Sequence, residues 1–224
     1  MYVSSVGGCG AILGRRDRTG SYGEEEKCEI DDRGSHSIVE EARRIAISLA
    51  ADHTPYCQEE LERIQLAGAE VKDSDQIEYT NVICDSNDRN KKSKRIFMAG
   101  KSFPGTKFTR SICDSTLEEI GIVSDPNVVS CDLTANDDIL VIASNGVFEF
   151  LTNQEIINIC SECHDPLQAS EAVTKAAYAK WIEHTNCCDD ITVIVCFLSN
   201  LTQPSQRARM LSDVNAMVDD YELE

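Results

Sequence analysis

The sequence lacks any apolar run that approaches the roughly 20 residues a helix needs to cross a bilayer. It also lacks the basic stretch followed by an apolar stretch that would mark a secretory signal after Met1. These absences argue against a membrane-spanning chain and against a secreted one. We therefore expect a cytoplasmic or nuclear protein.

Positive charge is scarce. The 224 residues include 21 Lys and Arg against 39 Asp and Glu, which gives a net charge of -18. Phosphate backbones and anionic lipids repel such a chain, so neither nucleic acid nor a membrane surface is expected as its main partner. The acidity has two interpretations. It keeps a compact domain soluble, or part of it surrounds a bound cation.

Cysteine, in contrast, is plentiful, with 11 residues. An odd number without an export signal favours reduced thiols over a disulfide framework. The string Cys160-x-x-Cys163-His164 is typical of haem attachment, and Cys187-Cys188 would complete a set of zinc ligands. Cys160 also falls on the apolar face of a predicted helix. Core packing is therefore the favoured interpretation.

Hydrophobic residues make up 42% of the chain, which is enough for one substantial core. Alternating or continuous apolar runs predict strands over 2–6, 11–13, 45–49, 139–143 and 191–198. The last two strands are apolar on nearly every residue, as expected for a sheet covered on both faces. The charged segment 15–43 is predicted to be an exposed loop, and 103–106 a turn.

Helix starts are marked by local signals. Thr54-Pro55 predicts one helix start, with Gly68 as its stop. A capping box at Thr152 and Glu155 predicts the next, and Asp165-Pro166 predicts a third. An apolar stripe at helical spacing follows over 210–221. This last helix either packs on the domain or binds a partner.

Two polar segments adjoin the continuous strands. Ser144-Asn145-Gly146 ends the strand over 139–143, and Asp189-Asp190 precedes the final strand. By itself an Asn-Gly pair is a common turn, and an acidic pair before a strand is often a solvated turn. Three further segments are notable. They are Tyr2-Val3-Ser4-Ser5-Val6-Gly7-Gly8-Cys9-Gly10-Ala11-Ile12-Leu13, Asp52-His53-Thr54-Pro55 followed by Glu59 and Arg63-Ile64, and Phe103-Pro104-Gly105-Thr106-Lys107-Phe108-Thr109-Arg110-Ser111-Ile112-Cys113-Asp114-Ser115.

In this order, the segments resemble motifs of the metal-dependent type 2C protein serine/threonine phosphatases, the PPM family. The first resembles the family's Val-Gly-Asp-Ser-Arg-Ala-Val-Leu hairpin and the second its Asp-His-x-Pro…Glu…Arg-Ile segment. The third resembles Thr-Arg-Ser-Ile-Gly-Asp-Ser, and the two strand ends resemble the Asp-Gly and Asp-Asn of its metal centre. The resemblance spans most of the chain.

The resemblance implies an α+β fold: an incomplete two-sheet β-sandwich flanked by helices. Residues 1–198 would form a partial type 2C phosphatase-like domain, and 199–224 a tail with an amphipathic helix. The family's Asp-Gly-His-Gly-Gly segment, which supplies a bridging aspartate, has no counterpart in the sequence. We therefore expect the C-terminal portion of the domain only.

The resemblance also implies a reaction, the hydrolysis of phosphomonoesters on phosphoproteins by two Mg²⁺ or Mn²⁺ ions. Asp189 matches a metal ligand, and Asp190, where the family usually has asparagine, is a possible one. Asn145 stands where the family has a ligand aspartate. Gly8 replaces an aspartate associated with an additional metal, and Gly10 replaces the neighbouring arginine.

These replacements weaken the implied chemistry. An amide at position 145 keeps a donor atom but removes one negative charge, and divalent ions depend on that charge. No catalytic residue is identified, and metal occupancy is expected to be low. We therefore predict a phosphatase-family chain with impaired catalysis. The alternative is a pseudophosphatase that binds partners or phosphoproteins without turnover.

Overall fold

The computed structural model describes residues 1–17, 27–30, 36–39, 43–73, 94–185 and 187–198. Along these ranges the elements are β1 (Tyr2–Ser5), β2 (Gly10–Arg16), β3 (Lys27–Ile30), β4 (His36–Val39), β5 (Arg44–Ser48), α1 (Gln58–Leu66), β6 (Ala69–Asp73), β7 (Lys94–Met98), β8 (Pro104–Thr106), α2 (Ser115–Glu118), β9 (Asn127–Ser130), β10 (Asp137–Ala143), α3 (Asn145–Phe148), α4 (Asn153–Ser161), α5 (Pro166–His184) and β11 (Val193–Phe197).

The largest core lies on one face of a four-stranded antiparallel sheet with the order β11-β10-β2-β5. Alternate residues of a strand point to the same face, so Ile139, Val141 and Ala143 of β10 share one side of the sheet. Helices α4 and α5 cover this side and contribute further buried side chains, among them Ile156, Ile157, Cys160, Ala169, Val173 and Ala177.

The other face of this sheet has its own smaller core. Ala11 and Leu13 of β2 are buried there with Leu49 and Leu198, and Val3 of β1 packs against them. Strand β1 pairs with β9 in a separate two-stranded sheet. Ile142 and Ile194 lie on neighbouring strands of the large sheet and are 43% and 53% exposed. Part of this face is therefore open within the described chain.

A second core belongs to the three-stranded sheet β6-β7-β8. Ile96 of β7 is buried beside Ile64 of α1 and Leu117 of α2. Gly68, predicted to stop α1, lies directly after the C-cap residue Ala67 and has a φ of +91°. That left-handed conformation favours glycine, which explains why the helix ends there.

The capping signals of the later helices are confirmed. The Thr152 side chain accepts a hydrogen bond from the Glu155 backbone, and the Glu155 carboxylate accepts one from the Thr152 backbone. Asp165 caps α5 by accepting from the Gln168 backbone, with Pro166 in the first turn. Both helices are therefore fixed by local chemistry as well as by packing.

The predicted hairpin over 2–13 is wrong. Strands β1 and β2 do not pair with each other: β1 pairs with β9, while β2 pairs with β10 and β5. The turn at Gly7-Gly8 carries the chain from one sheet into another. Strands that are adjacent in sequence suggested a hairpin, but each of the two pairs with strands further along the chain.

Three other local predictions need correction. The segment 15–43 is not all loop, because β2 continues to Arg16 and β3 pairs with β4; runs of four residues are too short to show a period. Helix α1 begins at Gln58 with Cys57 as N-cap, and Thr54 instead accepts a turn hydrogen bond from the Cys57 backbone. Residues Pro104–Thr106 form strand β8 against β7.

The α+β fold class is confirmed by this mixture of sheets and helices. No helix in the described ranges is long and apolar enough to cross a membrane. The predicted tail over 199–224 lies outside the described residues.

Candidate functional site

Three strand ends lie side by side at one end of the four-stranded sheet, which we call the shared edge. Ala143, the last residue of β10, pairs with Gly10 at the start of β2 and with Val193 at the start of β11. Gly8 lies just before one of these strands, Asn145 just after the second, and Asp189-Asp190 just before the third. The fold therefore brings all four predicted site positions to the same edge.

Backbone contacts join the Asn145 segment to the Asp190 segment. The Ser144 hydroxyl donates to the Asp190 carbonyl oxygen at 3.1 Å and accepts from the Thr192 backbone at 3.0 Å. A Cβ on Gly146 would overlap the same carbonyl oxygen of Asp190. Glycine at position 146 is thus required by the close approach of these two segments.

Asn145 opens the short helix α3 and is half-buried, whereas Asp189 and Asp190 are exposed. The Asp189 carboxylate accepts a hydrogen bond from the Asp190 backbone at 2.9 Å. Burial together with neighbouring acidic side chains raises the pKa of the adjacent Cys188 thiol. The edge therefore carries two exposed carboxylates and one amide.

Aromatic rings occupy the Gly8 and Gly10 side of this edge. A Cβ on Gly8 would overlap the Phe108 ring, and a Cβ on Gly10 would overlap the Phe148 ring. Both rings therefore fill space that ordinary side chains at positions 8 and 10 would need. An aspartate at position 8 cannot be accommodated unless Phe108 moves.

A buried ion-pair network lies behind the Gly7-Gly8 turn. Arg110 makes a two-atom contact with the Glu60 carboxylate, at 2.5 Å to Oε1 and 3.2 Å to Oε2. Thr109 donates its hydroxyl to the same carboxylate at 2.6 Å, and Arg63 approaches it at 2.7 Å. Although burial opposes ionisation, these donors together lower the pKa of Glu60 to about 2.

The sequence comparison had placed Glu59 in this segment, but Glu59 is exposed and Glu60 makes the contacts. Because α1 begins at Gln58, Glu60 shares a helix face with Arg63 and Ile64, at spacings of three and four residues. Glu59 lies four residues before Arg63, so helical spacing alone does not select Glu60, and the contacts to Thr109 and Arg110 decide between them.

His53 ties this network to the turn. Its side chain is 2% exposed, and its Nδ1 accepts a hydrogen bond from the Gly7 backbone at 3.2 Å. Its carbonyl accepts from the Thr109 backbone at 2.8 Å. Burial, reinforced by the charge of Arg110, lowers the pKa of His53. His53 is therefore held as a neutral imidazole whose Nε2 has no hydrogen-bond partner among the described residues.

Comparison with known proteins identifies the family. The family model for protein phosphatase 2C matches residues 1–185. The chain belongs to the protein phosphatase 2C family. It is 33% identical over 207 residues to a probable protein phosphatase 2C 35 of Arabidopsis thaliana, covering 90% of this chain and 53% of that protein. It is also 30% identical to a probable protein phosphatase 2C 72 of the same plant, covering 75% of this chain and 48% of that protein.

Solved structures show the same fold. A serine-threonine phosphatase 2C from Toxoplasma gondii aligns with a TM-score of 0.61 at 15% identity, over 88% of this chain and 54% of that one. A C. elegans sex determining protein aligns with a TM-score of 0.54 at 13% identity, over 92% of this chain and 38% of that one. The chain thus spans about half the length of the relatives it matches.

The protein phosphatase 2C family is metal-dependent, so the residues at the shared edge can be tested for their fit to a metal pair. Asp189 supplies one carboxylate and Asn145 only an amide. At Gly8, which replaces an aspartate associated with an additional metal, the space is filled by Phe108. Within the described ranges, no three His, Cys, Asp or Glu side chains are grouped to hold a metal ion. The described residues do not fit the two-metal centre of the protein phosphatase 2C family.

The thiols were the other metal candidates. Cys160 has no exposed surface and lies in the main core, where burial raises its thiol pKa to about 12. A thiol that resists ionisation is a poor metal ligand, because the thiolate is the ligand form. The prediction that Cys160 is a core residue is confirmed.

Proposed function

We propose that this chain carries part of a protein serine/threonine phosphatase domain and that, acting by itself, it hydrolyses phosphoproteins poorly or not at all. The family assigns the reaction class. The residues at the shared edge of the sheet support the proposed loss of hydrolytic activity, because an amide and an aromatic ring stand at two positions where the family places carboxylates.

The Phe108 ring against Gly8 is one of two observations behind the proposal, and it concerns the position that the family associates with an additional metal. A missing carboxylate alone could be replaced by solvent ligands, since hard divalent ions often retain several waters. A phenyl ring offers no donor atom at that position. The ring therefore makes this side of the site apolar.

The amide at Asn145 adds to this effect. Catalysis by a metal pair depends on preorganised charge, and losing one positioned electrostatic group costs about 100- to 1,000-fold in rate. A carboxylate at Asp189 and an amide at Asn145 together supply half the charge of an aspartate pair. Together with the Phe108 ring, this change predicts turnover well below that of an intact family member.

The decisive experiment measures phosphate release from a phosphothreonine peptide with Mn²⁺ present. Wild type, Asn145→Asp and Asp189→Ala are compared, each after a cooperative unfolding transition has been demonstrated. We expect wild type and Asp189→Ala to release phosphate at the same background rate. Turnover in wild type that disappears in Asp189→Ala would overturn the proposal, because it would require a working metal centre at this edge.

If wild type releases no phosphate, the chain is either a pseudophosphatase that binds phosphoproteins or a chain that needs additional protein for any activity. Calorimetry with phosphorylated and unphosphorylated versions of the same peptide distinguishes these two cases. Binding that requires the phosphate would favour the pseudophosphatase. No binding of either peptide would favour a chain that depends on additional protein for any activity.

A further inference from the structure

Trp181 is the only tryptophan in the chain, and it lies on α5, outside the motifs that identify the family. Its side chain is 8% exposed. Its indole Nε1–H donates to the carbonyl oxygen of Gly146 at 2.7 Å, in a buried hydrogen bond between residues 35 apart in sequence. The single indole donor is therefore used to hold the residue directly after Asn145.

The backbone of Trp181 is linked to the other half of the site through Thr185. Its carbonyl oxygen accepts from the Thr185 backbone and from the Thr185 hydroxyl, both at 2.8 Å. The same hydroxyl lies 2.6 Å from the Cys187 carbonyl oxygen, two residues before Asp189. Trp181 thus bonds directly to the Asn145 segment through its indole and reaches the Asp189 segment only through Thr185.

The Asn145 segment and the Asp189-Asp190 segment also contact each other directly. Gly146 lies against the Asp190 carbonyl oxygen, and the Ser144 hydroxyl bonds to that same oxygen. A small displacement of Gly146 would therefore move Asp190 as well.

Packing keeps the indole in place. The Phe150 ring meets the Trp181 ring edge-on with centroids 4.8 Å apart, and it stacks on His184 at 5.0 Å. Such an arrangement restricts the rotation of the indole. The orientation of the N–H is consequently fixed before any ligand arrives.

We propose that Trp181 is a positioning residue: its indole N–H sets the spacing between the Asn145 segment and the Asp189-Asp190 segment. The site it positions is the one in the proposed function. The geometric claim, however, concerns the protein chain alone and is tested without any phosphatase assay.

Amide hydrogen exchange of the full chain provides the test. The reporters are three amides of the junction: Ser144, which donates to Thr192; Val147, which donates to Ser144; and Thr192, which donates to the Ser144 hydroxyl. Growing the protein with benzothienylalanine in place of tryptophan changes position 181 only. The analogue keeps the bicyclic shape and replaces the N–H by sulfur.

We expect exchange at the three reporters to accelerate about five- to tenfold, the effect of losing one hydrogen bond. Exchange at Ile156 of α4, which donates to Thr152, should not change. Trp181→Phe should act in the same way and with a larger effect. Ile182→Ala, at a half-exposed position on the same helix, is the matched control and should leave the reporters unchanged.

Unchanged exchange at the reporters in the analogue would overturn the proposal, because the donor would then be dispensable. Equal acceleration at Ile156 would also overturn it, since the indole would then stabilise the whole fold and not this junction. Either result is independent of whether the chain hydrolyses phosphopeptides, so a failure here is distinguishable from a failure of the proposed function.

Discussion

The ring of Phe108 lies where a side chain on Gly8 would have to be. The two residues are 100 positions apart and belong to different motifs. Each motif by itself only looks like a slightly altered family sequence. Together they show that the Phe108 ring fills the space beside Gly8, so we expect a carboxylate at position 8 to require movement of that ring.

Gly8→Asp should destabilise the chain by about 1–3 kcal/mol, the usual cost of forcing extra atoms into filled space. Chemical denaturation measures the change. In Phe108→Ala the ring is gone, and adding Gly8→Asp to that background should cost much less. Gly8→Ala adds atoms without adding charge, and it should cause most of the loss in unfolding free energy that Gly8→Asp causes. Equal costs of Gly8→Asp with and without the ring would contradict this account.

The positions Asn145 and Asp189 can be tested as one site by a double-mutant cycle. Asn145→Asp adds a carboxylate at the edge where Asp189 already lies, so Mn²⁺ affinity should rise on the order of tenfold. Isothermal titration calorimetry measures it. In the Asp189→Ala background the same replacement should produce a much smaller gain. Equal gains in both backgrounds would show that the two positions act separately.

Local signals in the sequence predicted the elements that carry them. The capping box at Thr152 and the Asp165-Pro166 start involve residues within three or four positions, and both are observed. The continuous apolar strand over 139–143 is likewise found within β10, although only one of its faces is fully covered and Ile142 on the other is 43% exposed. Family resemblance correctly brought Asn145 and Asp189-Asp190 to neighbouring strand ends.

Contacts between distant residues could not be predicted in this way. Nothing in the sequence around Gly8 indicates that Phe108 fills the space beside it, and nothing around Trp181 indicates a bond to Gly146. The hairpin was wrong for the same reason, since β1 pairs with β9 and β2 with β10, each more than 100 residues further along, and β2 also pairs with β5. Helical spacing does not distinguish Glu59 from Glu60, because Arg63 lies four residues after one and three residues after the other.

His53 predicts a loss of stability in mildly acidic solution. Its pKa is lowered in the folded chain, so the unfolded chain takes up a proton first as pH falls through about 6.5. The free energy of unfolding should therefore decrease from pH 6.5 downward, until the folded imidazole also titrates. His53→Asn retains an acceptor for the Gly7 backbone but does not titrate. Its stability should vary less between pH 7 and pH 5.5, as measured by urea unfolding.

An unaltered pH dependence in His53→Asn would show that this imidazole is not the group responsible. His164→Asn, the same substitution at an exposed position, is the matched comparison.

Glu60 governs a separate, more acidic range. Its pKa is about 2 in the folded chain against an ordinary 4.5, so the stabilisation by its charge is complete above about pH 4.5 and is lost as pH falls toward 2. Glu60→Gln removes that charge and leaves Arg110 and Arg63 facing a neutral amide. Because both arginines are partly exposed, we expect a cost of about 2–3 kcal/mol at pH 7, below the range for a fully buried pair.

The acid limb of the stability profile, between pH 4.5 and pH 2, provides the sharper test of the Glu60 network. In Glu60→Gln the decrease in stability between pH 4.5 and pH 2 should be smaller than in wild type, because one depressed carboxyl no longer titrates. Glu171→Gln is the matched control: Glu171 pairs with Lys175 at 3.5 Å on the exposed face of α5. An exposed pair contributes little, so this change should cost under about 0.5 kcal/mol and preserve the acid limb. If both variants lost the same stability, the buried Glu60 network would not anchor the Gly7-Gly8 turn as its contacts indicate.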